Sequence, residues 1–258
     1  MNRELTYIDP KAKIGKNVTI SPFTSIYGDV IIGDNTWIGP NVTIMDGARI
    51  GKNCRIFPGA VISAIPQDLK FDGENTFVII GDNVTIRECA TINKGTTALG
   101  KTEIKENVLI MAYVHVAHDC IIGKNCILAN SVQVAGHVEI GAHAIIGGTS
   151  AIHQFVKIGS HVMVSGGSLI RQDVPPYVRA AREPLSYTRI KSVGLRRRGF
   201  DDNNILELHE IYRYVYQKGH NNTKAIEAIE KELPATIERD MVLNFMRNSK
   251  RGLMKGKI

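Results

Sequence analysis

Asp29-Val30-Ile31-Ile32-Gly33-Asp34-Asn35-Thr36-Trp37-Ile38-Gly39-Pro40-Asn41-Val42-Thr43-Ile44 decides the fold, because isoleucine returns at every sixth place along it. Outward from this stretch the phase holds without a miss from Ile8 to Ile62, resumes at Ile80, Ile86 and Ile92, and runs unbroken from Ile104 to Ile170. Of the 28 positions in this phase, 25 are Ile, Val or Leu; the exceptions are Asp68, Glu74 and Ala98. Six is neither the helical period nor simple strand alternation, so each hexad is a short strand followed by a bend. The fifth position is small or β-branched (Val18, Thr24, Val30, Thr36, Val42, Ala48, Cys54, Ala60), as expected if it shares the inward face with the next Ile two residues on. The third and fourth positions are turn formers, as in Asp34-Asn35, Pro40-Asn41, Asp46-Gly47 and Pro58-Gly59. Three hexads then close one triangular coil, and stacked coils give a parallel β-helix of about nine coils, roughly 45 Å long at ~4.8 Å per coil.

The phase breaks over residues 63–79 and 93–103, and breaks in a solenoid become external loops where function is often carried. The repeat ends near Val174-Pro175-Pro176. This predicts a β-helix over residues 1–185 and a helical region over 186–258. The latter has apolar stripes from about Asp201 to Val215 closed by Gly219, a segment capped by Thr223 over Ala225–Leu233, and a third from about Pro234 to Arg247.

With 258 residues, 43% apolar and 22% charged, the chain has an ordinary soluble composition. No window approaches the roughly 18 apolar residues of a membrane span, and Met1-Asn2-Arg3-Glu4-Leu5-Thr6-Tyr7 lacks the apolar run of an export signal. Cys54, Cys89, Cys120 and Cys126 form no C-x-x-C pair and suit a reducing cytoplasm. The net charge of +7 is uneven: residues 1–185 carry +1 and residues 186–258 carry +6, a field that attracts an acidic partner. Nucleic acid fits this field less well than an acidic protein, because the prism is nearly neutral and Arg196-Arg197-Arg198 has no array of aromatics around it.

Stacking arithmetic gathers the histidines. Hexads 18 residues apart lie above one another, so His118-Asp119, His137 and His153-Gln154 fall on one side in consecutive coils, with His115 at the corner leading into it. His143 and His161 stack on another side and read as a surface ladder. A single histidine in such a turn is an ordinary polar residue, but four with an Asp and a Gln mark a site. Cys120 and Cys126 fall at inward fifth positions and read as core filler.

A histidine serves as a general base near neutrality. Direct transfer of an acyl group from a thioester to a sugar hydroxyl needs a base, a partner orienting that base and a donor for the oxyanion, with no covalent intermediate. His118, Asp119 and a backbone N–H in a turn such as Ala135-Gly136 can supply the three.

Several strings make a resemblance specific: Gln67-Asp68-Leu69-Lys70, Ala117-His118-Asp119-Cys120, Ala135-Gly136-His137, Ile152-His153-Gln154-Phe155, Gln172-Asp173-Val174-Pro175-Pro176-Tyr177 and Leu195-Arg196-Arg197-Arg198-Gly199-Phe200. They resemble the UDP-N-acetylglucosamine O-acyltransferase family of left-handed β-helix enzymes, whose reaction opens lipid A synthesis, and the likeness covers nearly the whole chain. The left hand is an exception to the usual crossover rule.

The resemblance implies that His118 is the base on the glucosamine 3-hydroxyl, Asp119 its orienting partner and the Gly136 N–H the oxyanion donor. It places Gln67, Asp68, Lys70, His115, His137, His153 and Gln154 along the substrate groove, Arg198 at the nucleotide phosphates and Arg197 facing the acyl carrier protein. Gly166 becomes the floor that limits acyl length, although as a third-position residue it also reads as a turn glycine needed for its backbone angles. The donor is an acyl carrier protein thioester, the acceptor UDP-N-acetylglucosamine, with no cofactor and no metal; family members are homotrimers with sites between prisms.

Two departures stand out: Arg182-Glu183-Pro184 occupies the place of a common Gly-Asn-x motif, and Lys191 that of a frequent Asn. Two rival functions share the fold. The related N-acyltransferase, acting one cycle later in lipid A synthesis, carries an extra uridine-binding domain before the repeat, for which a repeat starting at Ile8 leaves no room. A zinc lyase resembling the gamma carbonic anhydrases would use His115, His118 and His137, but their spacings do not match that family's pattern.

Overall fold

The computed structural model describes residues 5–256. Residues 1–4, part of the stretch read for an export signal, and residues 257–258 of the expected carboxy-terminal region lie outside the described residues.

Three parallel sheets form the walls of a triangular prism, and successive hexads visit them in turn. The first face has nine strands, from Tyr7–Ile8 to Leu169–Ile170, and the second has eight, from Lys13–Ile14 to Lys157–Ile158. The third has ten, because two longer strands, Val178–Ala181 and Ser186–Ile190, extend it as an antiparallel pair past Met163–Val164. Most strands are two residues long, and in the unbroken part of the repeat each pairs with the one 18 residues later, as His115 with Gln133 and Val116 with Val134.

Repetition makes the core. The phase residues from Ile26 onward are almost all sealed inside, and the fifth-position residues share the interior with them, including Cys120 and Cys126. Burial pushes the Cys120 thiol up to about 12 and that of Cys126 to about 11, so both are inert packing. Inward hydroxyls are paired to the backbone, as when Thr24 Oγ1 donates to the Gly39 carbonyl. The fourth position takes the left-handed conformation, with φ of 56° at Asn17, 59° at Asn35 and 56° at Asn41, which explains the recurrent asparagine there.

Residues 65–76 leave the prism between the strands Val61–Ala64 and Phe77–Ile80, and residues 94–100 leave it between Thr91–Asn93 and Lys101–Ile104. Beyond the prism come α1 (Ser192–Arg196), α2 (Asp202–Tyr216), α3 (Asn222–Glu232) and α4 (Ile237–Arg247). Short α1 is not legible as an apolar period. The expected Thr223 cap is corrected: Asn221 caps α3, its side chain accepting from the Lys224 N–H. The helices pack on the end of the prism through Leu208, Ile211 and Tyr212, and the Tyr212 hydroxyl donates to the Pro176 carbonyl at 2.6 Å. The chain then returns over the prism, where buried Asp173 accepts from the Ser249 hydroxyl and the Arg251 N–H.

Candidate active site

The corner joining the first and second faces carries His118, Gly136 and Gln154 at third positions of consecutive coils and Asp119, His137 and Phe155 at fourth positions. Asp119, His137 and Phe155 have φ of 58°, 60° and 67°, the bend that throws the side chains outward. At this corner the His137 N–H donates to the His118 carbonyl one coil earlier at 3.1 Å, and the Phe155 N–H to the Gly136 carbonyl at 3.2 Å. The third-position N–H takes no part in the ladder, which is why Pro10, Pro22, Pro40 and Pro58 are tolerated at that place. Consequently the Gly136 N–H has no acceptor among the described residues.

The His118 ring lies across Gly136: a Cβ built there would sit 2.6 Å from His118 Cε1 and 2.7 Å from Nε2. Gly136 is not left-handed, so glycine is required for space rather than for backbone angles. His118 Nδ1 lies 2.8 Å from Asp119 Oδ2. The Thr96 hydroxyl donates to the same oxygen at 2.7 Å, and the Thr96 and Leu99 N–H groups donate to Oδ1 at 3.0 and 3.1 Å. Because a carboxylate only accepts, Nδ1 carries a proton, and in the neutral ring Nε2 is therefore the nitrogen with the free lone pair. That Nε2 faces Asp68, whose Oδ2 is 4.0 Å away.

Burial would push the Asp119 carboxyl up, but the hydrogen bonds from Thr96 and His118 together with the charge of His137 hold it below the ordinary aspartate value. Burial pushes His137 down against the raising charges of Asp119 and Asp68, and pushes His115 down with the charge of His118 adding to it. Thr96 and Leu99 belong to the second excursion from the prism; the sequence marks that excursion only as a break in phase and gives no sign that it returns to clasp Asp119.

Of the remaining expected groups, Asp68 is held by the Lys70 N–H at 3.0 Å, while the side chains of Gln67 and Lys70 are exposed beside it. His137 packs edge-on against His118 and stacks on Phe155 with centroids 4.6 Å apart. His115 lies on the outer surface of the first face, bonded through Nδ1 to Thr91 at 2.7 Å. His153 is exposed and Gln154 half-buried one coil on from Gly136. A cavity of about 470 Å³ opens beside Asp119 and His137, walled by Leu99, Phe155 and Lys157.

Other expected residues lie elsewhere on the prism. Exposed Arg197 and half-buried Arg198 follow α1 at the third face, and exposed Gly166 sits at the corner joining the third and first faces. Gly166 is not in the left-handed region; the turn's positive φ of 70° belongs to Gly167, so the reading of Gly166 as a glycine required by its backbone angles is overturned. The His143–His161 pair is more than a surface ladder: His161 stacks between His143 and Tyr177, and Arg198 Nη1 lies 3.4 Å from its Nδ1.

His118, Asp119 and His137 bring ligand atoms within 4.8 Å of one another, the one such grouping among the described residues. The Asp119 oxygens are already saturated by four donors, and His115, a ligand in the zinc-lyase alternative, lies outside the group. The donor set therefore fits an oriented imidazole better than a metal.

Residues 173–254 match the family model described as UDP N-acetylglucosamine O-acyltransferase, domain 2, and residues 11–36, 29–64 and 101–136 match the bacterial transferase hexapeptide model. The acyl-[acyl-carrier-protein]--UDP-N-acetylglucosamine O-acyltransferase of Chlorobium phaeobacteroides is 52% identical over 95% of this chain and 93% of its own. That of Sulfurihydrogenibium is 50% identical over 95% of this chain and 91% of its own. The crystal structure of the UDP-N-acetylglucosamine acyltransferase from Bacteroides fragilis superposes with a TM-score of 0.97 at 49% identity, covering 99% of this chain and all of that one.

Proposed function

Because the chain belongs to the UDP-N-acetylglucosamine O-acyltransferase family and shares its left-handed β-helix, we propose that it transfers an (R)-3-hydroxyacyl group from acyl carrier protein to the 3-hydroxyl of UDP-N-acetylglucosamine by direct general-base catalysis. This is the first step of lipid A synthesis. The observation that carries the mechanism is the His118 imidazole, fixed at Nδ1 by Asp119 and open at Nε2, across an unpaired Gly136 N–H.

Nε2 takes the proton of the sugar 3-hydroxyl as its oxygen attacks the thioester carbonyl. The carbonyl oxygen gains charge and is met by the Gly136 N–H. Collapse of the tetrahedral intermediate breaks the carbon–sulfur bond, and the departing thiolate receives the proton from the imidazolium. Asp119 stays ionised throughout and stabilises the imidazolium. Asp68, Gln67, Lys70, His115, His137, His153 and Gln154 bind the substrates around this corner, Arg198 the nucleotide and Arg197 the carrier protein. Gly166 limits the acyl length.

A single prism holds these groups at separate corners, which supports a homotrimer in which a neighbour supplies the rest of each groove. Four free cysteines, three of them sealed in the core and Cys89 exposed, with the acidic carrier protein as donor, support a cytoplasmic setting. Among the described residues no helix is long and apolar enough to cross a membrane.

Mass spectrometry of the product formed from UDP-N-acetylglucosamine and a ladder of 3-hydroxyacyl carrier proteins tests the reading. A single O-acylated sugar nucleotide is expected, with turnover about 10²–10⁴-fold lower in folded His118→Ala. Wild-type turnover in that variant removes His118 as the base.

A further inference from the structure

Between the third face and α1 lies a cavity of about 590 Å³ whose charged lining is entirely cationic: Arg179, Arg189, Lys191, Arg197 and Arg198, with no carboxylate. Among the described residues none of these five forms an ion pair. Lys191 is the deepest of them, 9% exposed. Its stem packs on Gly194, where an added Cβ would come within 2.7 Å of Lys191 Cε, and its Nζ donates only to the Val162 carbonyl at 3.3 Å.

A buried ammonium without a counter-ion, beside a guanidinium, is unfavourable until an anion arrives. We propose that Lys191 is a phosphate-binding residue that, with Arg198, cradles the diphosphate of the sugar nucleotide. This rests on the acyltransferase reading above and adds to it a specificity-determining cation at the place where an Asn is frequent in the family. An acidic protein surface meets exposed cations such as Arg197, whereas only a compact anion fits a cavity down to a buried Nζ. The protonation balance agrees: burial first, then the charge of Arg198, push the Lys191 ammonium down to about 8, as expected for a cation awaiting its partner. Burial, with His143, Arg198 and Lys191 adding to it, pushes His161 down to about 4, so a neutral ring is left to accept from Arg198 and orient it.

The test compares UDP with uridine by calorimetry on the wild-type protein and on Lys191→Met. The substitution should weaken UDP about 10- to 100-fold and leave uridine unchanged, because only the charge-assisted contacts to phosphate are lost. KM for UDP-N-acetylglucosamine should rise while kcat stays within a factor of about 2. Should Lys191→Met not fold, Lys191→Gln carries the same comparison, since its amide can still donate to Val162. On the wild-type protein at pH 8, where His143 and His161 are neutral and Arg198 charged, UDP should bind with uptake of a fraction of a proton and uridine with none. Equal UDP affinity in a folded variant, absence of that proton uptake, or a loss confined to the carrier protein each overturns the assignment. Absence of acyl transfer by the wild-type protein, with Lys191-dependent UDP binding intact, counts instead against the acyltransferase reading.

Discussion

Gly136→Ala isolates the geometry of the base from its chemistry. The variant keeps the backbone N–H, and φ at this position suits alanine, so neither oxyanion donation nor folding is directly removed. What changes is the space under the imidazole. The new Cβ would lie 2.6 Å from His118 Cε1, and reaching even a tight 3.4 Å contact moves the ring by about 0.8 Å (3.4 − 2.6). Nδ1 is held to Asp119 at 2.8 Å, so the ring escapes only by tilting about that bond, and Nε2 moves furthest. A misplacement of that order costs about 100-fold in kcat/KM, equivalent to about 2.7 kcal/mol of barrier. The assay is steady-state product formation beside thermal unfolding, which should be nearly unchanged. The decisive comparison is the double variant His118→Ala/Gly136→Ala: with no ring left to displace, the second change should add almost nothing to the loss in His118→Ala. Fully additive losses, or wild-type kcat/KM in folded Gly136→Ala, would refute the argument.

Three further outcomes are expected. Thr96→Val removes the hydroxyl donor to Asp119 and should cost about 1.5–3 kcal/mol at pH 7. The Asp119 carboxyl is held low, so its contribution is complete above the unfolded aspartate value of about 3.9 and disappears as pH falls through its lower folded value. The stability gap between Thr96→Val and wild type in urea titrations should therefore close in acid, and a gap constant down to about pH 2 contradicts it. Association with acyl carrier protein should weaken as salt rises, since exposed cations such as Arg197 are screened over about 8–10 Å near physiological ionic strength; an affinity independent of salt rules out electrostatic docking. Gly166→Met should shift the product profile toward shorter acyl groups in a mixed-donor competition, with each lost methylene contact worth about 0.8 kcal/mol; an unchanged profile moves the ruler elsewhere.

The prism was legible because a period of six admits few backbone solutions, and the stacking of His118-Asp119, His137 and His153-Gln154 followed from counting alone. Contacts between a coil and an excursion were not legible. Thr96 and Leu99 reach Asp119 from a segment whose path is set by tertiary packing, and no local period encodes it. Helix α1 is too short to show an apolar stripe, and the cap of α3 falls on Asn221, two residues before Thr223, because the Asn221 side chain is the one that accepts from the Lys224 N–H.

The dyad and the free N–H owe their relation to the solenoid itself. In the consecutive coils that carry His118, Gly136 and Gln154, the third-position N–H stays outside the ladder and the fourth residue turns outward. A histidine and an aspartate at those places of one coil thus stand one strand spacing from an unpaired donor on the next coil, provided the residue there lacks a side chain. Gly136 meets that condition, and the backbone bond from His137 N–H to the His118 carbonyl fixes the spacing independently of side-chain packing. The preorganisation therefore rests on backbone hydrogen bonds within the stack, and the excursions from the prism are left to bind and orient, as Thr96 and Leu99 do at Asp119.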